Sequence, residues 1–138
     1  MDDCKPSYLT GLLNVAQNGP VSVTVPAPLV RVDGAEALYE RLTAVLGALG
    51  EFQVEVKQTS VHVVAGKAAF LGISPRKSGF RLTVVLSRPL MGTRVLKADQ
   101  ASRARFHNEL MVTGPEEFDA ELWGWLREAH DLQIAAAR

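Results

Sequence analysis

The stretch that decides the fold is residues 52–57, Phe-Gln-Val-Glu-Val-Lys, in which apolar and polar side chains alternate. A period of two residues is typical of a β-strand with one buried and one wet face. The alternation therefore predicts a sheet rather than a helix at this point. Further strands are predicted on the same grounds, or from a preceding Gly-Lys turn, at residues 61–63, 68–73, 80–86 and 105–112.

An amphipathic helix is predicted on each side of these strands. The first follows Asp33, which stands three residues before Glu36 as in a capping box, and it ends at Gly50. The second opens at residues 113–116, Thr-Gly-Pro-Glu, where proline is tolerated in the first turn. Apolar residues recur at helical spacing in both segments: Ala35, Leu38, Leu42, Val45, Leu46 and Leu49 in the first, and Phe118, Leu122, Trp125, Leu126, Ala129 and Leu132 in the second.

This order of elements predicts an α+β fold, an antiparallel sheet of about five strands with helices packed on one face. Residues 87–104 lack a clear period and are predicted to be irregular, with turn or helical content, while residues 75–79 are predicted to form a basic loop. From the length of 138 residues we expect a single domain, with residues 34–135 following an irregular N-terminal extension over residues 1–33.

Composition argues against a membrane or secreted protein. The longest run without a charged residue, 6–30, contains several prolines that would break a membrane helix. The chain starts Met-Asp-Asp, whereas a secretory signal has a positively charged start. The single cysteine, Cys4, cannot form an internal disulfide. We therefore expect a cytoplasmic protein that does not contact the membrane.

Several motifs are spread over residues 38–132. They are Leu49-Gly50 at a helix end, Lys57 and Val61 on the strands, Phe70 and Pro75 before a basic segment, Arg-Phe-His at 105–107, and Glu-Leu-Trp-Gly-Trp-Leu-Arg-Glu-Ala at 121–129. In these motifs the chain resembles a bacterial family of domains of unknown function, DUF5655. The resemblance implies the same fold class and no particular activity, and it does not extend to the first 33 residues.

The sequence lacks the motifs of the commonest chemistries. It has no zinc-type spacing of cysteine or histidine, no glycine-rich phosphate or dinucleotide loop and no nucleophile elbow. Its three histidines, His62, His107 and His130, are widely separated along the chain. We therefore assign no catalytic residue, metal ligand or cofactor, and favour a protein that is not an enzyme.

Charge is strongly divided along this chain of zero formal net charge. Residues 57–105 carry +9, whereas residues 1–56 carry −4 and residues 106–138 carry −5. Two interpretations stay open. In one, helix carboxylates pair with strand cations, and each exposed pair contributes about 0–1 kcal/mol. In the other, the helices cover the apolar side of the sheet and the strand cations share the opposite side.

The second interpretation predicts a non-catalytic binding module with a basic sheet face. Its ligand would be anionic or phosphate-bearing, either a small molecule or a nucleic acid. The candidate ligand-binding residues are the outward-facing strand positions and the adjoining basic loop: Lys57, His62, Arg76, Lys77, Arg81, Arg105 and His107.

Two other functions stay open. One is a homodimeric interaction or assembly module that uses an edge strand, the N-terminal apolar segment or Trp123, which falls off the apolar stripe of its helix. The other is a small enzyme that uses His107 or His62 with a neighbouring carboxylate such as Glu109 or Glu55.

Overall fold

The computed structural model describes residues 24–138, and this range contains two α-helices and six β-strands. The helices are α1 (Ala35–Leu49) and α2 (Ala120–Ala136), and the strands between them are β1 (Gln53–Val56), β2 (Val61–Ala65), β3 (Ala68–Arg76), β4 (Gly79–Leu86), β5 (Val95–Ser102) and β6 (Arg105–Val112). Short 3-10 turns lie at Ala27–Leu29 and Pro115–Glu117. Most of the N-terminal extension expected over residues 1–33 lies outside the described residues.

The six strands form one sheet in the order β1-β2-β3-β4-β6-β5, and every neighbouring pair is antiparallel. The predicted α+β class is therefore confirmed, with six strands instead of about five. The additional strand is β5, in the segment predicted to be irregular. It lies at a sheet edge, and all its residues except partly covered Val95 are exposed, so no buried face imposes an alternating pattern on it.

Both helices pack on the same face of the sheet. Helix α2 lies across β2, β3 and β4, and α1 packs beside α2 and against β4. Strand β4 is buried at Phe80, Leu82, Val84 and Leu86, which point towards the helices, and only partly buried at the positions between them. Within residues 24–138 no helix covers the other face, which we call the open face. It carries His62, Gly72, Ser74, Arg81, Thr83, Val85, His107, Glu109 and Met111.

A β-bulge in β3 accounts for two consecutive core residues. The β2–β3 pairing shifts after Val63, which lies opposite Leu71, and Phe70 is left without a partner in β2. Phe70 and Leu71 are consequently both fully buried. The bulge brings Phe70 against α2, where it makes an edge-to-face contact with His130 at 5.4 Å between ring centroids.

The helix starts differ from those expected. Helix α1 follows Gly34, whose φ of 72° is left-handed, and no side chain caps it, so the capping box at Asp33 is wrong. Helix α2 starts after a 3-10 turn, and the Asp119 carboxylate accepts the Leu122 N–H at 3.0 Å. The predicted end of α1 at Gly50 is confirmed.

Two strands also depart from expectation. Strand β1 is exposed along its whole length instead of being half-buried, because the helices leave this edge of the sheet uncovered. Strand β3 continues through Pro75 to Arg76, so the predicted basic loop is reduced to a turn at Lys77 and Ser78.

A buried polar residue fixes the connection between β4 and β5. Asn108 is fully buried on the helix side of β6. Its side-chain oxygen accepts the Leu90 N–H at 2.8 Å, and its amide donates to the carbonyl oxygens of Val84 at 3.3 Å and Arg88 at 3.2 Å. These bonds satisfy the buried amide and hold the segment after β4 against the sheet.

Candidate functional site

One cross-strand row organises the open face. Residues that lie directly opposite one another run across the sheet as Glu55, His62, Gly72, Thr83, Glu109 and Lys97. Directly opposed side chains in an antiparallel sheet have Cβ atoms about 4.5–5.5 Å apart. Because Gly72 has no side chain, a gap that we call the notch is left between His62 and Thr83.

The notch is part of a larger open depression of about 730 Å³. The depression extends from the notch towards the end of the sheet where the turns between β2 and β3 and between β5 and β6 lie. Small and apolar residues dominate its lining, with few polar groups: Ala68, Ala69, Leu71, Gly72, Val85, Ala101 and Ala104 on the one hand, and His62, Thr83, Ser102, Arg105, His107 and Gln133 on the other.

Three of the predicted site residues line this depression. His62 lies on β2, whereas His107 and Arg105 lie two residues apart on β6 and project to the same face. Three strand spacings and a two-residue offset separate the histidines, which corresponds to about 15 Å between their Cα atoms. The histidines therefore stand apart and cannot act together on one atom.

Arg81 lies on the open face outside the depression. Its guanidinium is 3.5 Å from the carboxylate of Glu109, and its side chain is about one-third exposed. The Nε of Arg81 is buried without a hydrogen-bond partner. The carboxylate of Glu109 thus balances the charge of Arg81 on the same face.

The other predicted residues lie away from the depression. Lys57 follows β1 at the sheet edge, and its ammonium is 3.3 Å from the carboxylate of Glu55. Arg76 and Lys77 lie at the turn between β3 and β4, at the opposite end of the sheet. Six residues of β4 separate that turn from the row of His107, which corresponds to roughly 20 Å.

Carboxylates neutralise two further cations within residues 57–105. Arg88 forms a two-bond pair with Glu128 of α2, at 3.0 Å for each bond. Arg94 reaches Asp119 at 2.9 Å and Glu121 at 3.1 Å, at the start of α2. The pKa of Asp119 is lowered, first by the Leu122 N–H and then by Arg94.

Five of the ten cations in residues 57–105 are thereby paired with carboxylates: Lys57, Arg81, Arg88, Arg94 and Lys97, the last with Asp99 at 3.2 Å. Among residues 24–138 no carboxylate pairs with Lys67, Arg103 or Arg105. These three residues lie at or beside the two turns that border the depression. The interpretation by helix carboxylates thus holds only for Arg88 and Arg94, whereas the other three pairs join residues on or beside the strands. A smaller cationic group remains at one end of the open face.

Each histidine of the depression lies directly opposite an acidic residue of the neighbouring edge strand, His62 opposite Glu55 and His107 opposite Asp99. Glu55 and Glu109 are engaged by Lys57 and Arg81, and within residues 24–138 no carboxylate is hydrogen-bonded to His62 or His107. In the same range no group of three or more metal-ligating side chains is present.

Sequence reasoning missed the residues that shape the depression. Gly72 and Thr83 are uncharged, and their role depends on being opposite each other in neighbouring strands. The one available signal was the glycine itself, because glycine inside a predicted strand marks a bulge or a close approach of another group.

Trp123 is partly buried, and the guanidinium of Arg127 lies over its ring at 4.4 Å from the centroid. The sequence also allows Trp123 to pack under the N-terminal segment, most of which lies outside the described residues. Homodimer formation through Trp123 stays a prediction.

No helix within the described part of the chain is both long enough and apolar enough to cross a bilayer. A search of curated proteins and a search of solved structures each found no match to the chain. A family model does match, over residues 33–133, and its description is a domain of unknown function, DUF5655. Since the match covers well over half of the sequence, the chain belongs to the DUF5655 family.

Proposed function

We propose that this chain is a binding module that holds a small anionic ligand in the depression of the open face. The observation that carries the proposal is that Arg105 lines the depression beside His107, and no carboxylate within residues 24–138 pairs with it. Charge-assisted hydrogen bonds from a guanidinium to a carboxylate or phosphate are among the strong polar contacts of proteins. A concave, largely apolar surface with few polar groups is a typical small-molecule site.

The local charge supports an anion. Lys67 and Arg103 lie on the turns that border the depression, and like Arg105 they have no carboxylate partner among the described residues. Neighbouring charges of one sign raise the local potential and the local concentration of a counter-ion. The expected ligand therefore carries at least one phosphate or carboxylate.

A small ligand is favoured over a nucleic acid. Nucleic-acid binding depends on neutralising several phosphates along a strand. Here half of the basic segment is paired with carboxylates, and Arg76 and Lys77 are roughly 20 Å from the row of His107. The remaining cations are divided between the two ends of the sheet and do not form one continuous track.

Catalysis is not part of the proposal, because neither His62 nor His107 is hydrogen-bonded to a carboxylate in the described range. A cytoplasmic location is proposed only from the sequence, since the single Cys4 suits a reducing compartment.

The experiment is a titration of the protein with inorganic phosphate and with citrate, followed by backbone amide chemical shifts. Binding should shift the amides of β6 and of the turn between β5 and β6. Arg105→Gln should weaken binding by tenfold or more, because it removes a charge-assisted bond. Arg76→Gln is the matched control, since Arg76, like Arg105, donates to the carbonyl oxygen of the preceding residue and pairs with no carboxylate of residues 24–138, but lies at the other end of the sheet.

Equal affinities of the wild type and Arg105→Gln would contradict the proposal. So would the absence of any shift at millimolar ligand. A single-stranded oligonucleotide that binds with a steep salt dependence, and loses affinity in both variants, would replace the small ligand by a nucleic acid.

A further inference from the structure

The notch at Gly72 has a shape that the anion alone does not explain. His62 and Thr83 lie directly opposite Gly72 on its two sides. A Cβ atom built on Gly72 would come within 3.6 Å of the Thr83 Cβ, which is an ordinary contact, and would meet no other residue within 4 Å. The notch is therefore open space above the backbone, with an imidazole on one side and a hydroxyl on the other.

The dimensions of the notch fit a flat group. Two strand spacings separate the backbones of His62 and Thr83, which corresponds to about 10 Å. Ala69 and Val85 add small or apolar surface beside the notch. A ring placed there would cover exposed backbone, contact the imidazole of His62 and bring an edge within reach of the Thr83 hydroxyl.

The anion-binding end lies too far away to belong to the same small group. Gly72 and Arg105 are separated by two strand spacings and four residues along the sheet, which corresponds to about 16 Å between Cα atoms. An anion held by Arg105 and His107 therefore needs a spacer before a ring can reach the notch. One continuous depression of about 730 Å³ joins the two positions.

From this arrangement we infer that the ligand is nucleotide-like: a flat heteroaromatic ring in the notch, joined through a sugar-length spacer to a phosphate at Arg105 and His107. The inference rests on the proposed function of the depression and adds the class of ligand. Thr83 supplies a hydrogen bond to the ring edge, and His62 contacts the ring.

The experiment compares adenosine 5′-monophosphate, uridine 5′-monophosphate, ribose 5-phosphate and inorganic phosphate by calorimetry and by the ring-proton shifts of His62 and His107. At least one nucleotide should bind ten times more tightly than ribose 5-phosphate, and both histidines should shift. With ribose 5-phosphate only His107 should shift.

Two variants separate the ring site from the anion site. Gly72→Val fills the notch and should remove the nucleotide advantage while leaving the affinity for ribose 5-phosphate unchanged. Arg105→Gln should weaken all phosphates by tenfold or more. Ser74→Val, two positions from Gly72 on the same face of β3 but outside the depression, is the matched control and should alter nucleotide affinity less than threefold.

The outcomes distinguish a wrong ligand class from a wrong proposed function. If ribose 5-phosphate binds as tightly as both nucleotides, or Gly72→Val leaves the nucleotide advantage intact, the ligand class is wrong and the anion site stands. If no phosphate compound binds and His107 does not shift, the ligand class and the proposed function both fail.

Discussion

Two glycines of the hairpin formed by β3 and β4 should respond to substitution with opposite signs. Gly72 lies inside β3 and borders open space, so a Cβ atom there meets only Thr83, whose Cβ is 3.6 Å and whose Oγ1 is 3.9 Å away. Gly79, at the first position of β4, is buried, and a Cβ atom there would clash with the Val112 carbonyl oxygen. Neither glycine has a left-handed φ, so the comparison isolates space from backbone strain.

The magnitudes follow from these contacts. Glycine inside a strand costs roughly 0.5–1 kcal/mol relative to alanine, and β-branched residues are favoured in strands. We therefore expect Gly72→Val to raise the free energy of unfolding by up to about 1 kcal/mol. At Gly79 the contact atom is backbone and cannot rotate away, so Gly79→Ala should lower it by about 1–3 kcal/mol, as for an overpacked core.

Chemical denaturation monitored by tryptophan fluorescence measures both changes, because Trp123 and Trp125 lie partly buried against the core. Thermal melting adds a second reading, with a shift of roughly 4 °C per kcal/mol for a chain of this size. A clear loss of stability in Gly72→Val would refute the reasoning, since it would mean that the notch is occupied by packed groups. An undisturbed Gly79→Ala would show that β4 and β6 can separate at that point.

Three further predictions concern the scaffold and its titrating groups. Asn108→Leu should lower the free energy of unfolding by about 2–4 kcal/mol, because it leaves the Leu90 N–H and the Arg88 carbonyl oxygen without their hydrogen-bond partner. Amide hydrogen exchange should then become faster over residues 87–94. The pKa of Asp119 is lowered in the folded chain, so its carboxylate should stabilise the fold above about pH 4 and lose this effect as the pH falls further. In Asp119→Asn the free energy of unfolding should therefore depend less on pH below about pH 4. Burial raises the pKa of Tyr39 to about 12, so phenolate absorbance in a Tyr8→Phe variant should appear near pH 12 instead of near pH 10, and stability should fall across that interval.

The alternating and helical patterns predicted the buried elements and failed where burial is absent. Helix α1 and strand β4 have one face in the core, and burial places apolar residues at the expected period. Strand β5 lies at an edge, and its residues obey no such constraint. The bulge at Phe70 was also unpredictable, because one extra residue in a strand leaves the local composition unchanged.

The candidate site was predictable only as a set of outward-facing strand residues. Alternation correctly placed His62, Arg81 and His107 on one face, because these strands are buried on the other. Alternation could not indicate that Arg81 lies outside the depression, nor that Gly72 leaves a gap between its neighbours. Both facts depend on the register between neighbouring strands. Register is fixed by turns and bulges and not by the composition of one strand.

The net charge of a sequence segment does not predict the charge of the surface that the segment forms. The +9 of residues 57–105 was compatible both with a basic sheet face and with pairing to helix carboxylates. In the fold, Arg88 and Arg94 extend to carboxylates of α2 and of the residue that caps it, although 25–40 positions separate the partners in sequence. Their pairing draws on the negative charge of residues 106–138 and anchors the segment after β4 to the helix. The cations left for a ligand are those on or beside the turns, beyond the reach of the helix carboxylates. The position of an anion site of this kind therefore depends on which cations the topology leaves without a neighbouring carboxylate. Reversing the charge of Glu128 should accordingly weaken the contact between Arg88 and α2 without altering the affinity of Arg105 for phosphate.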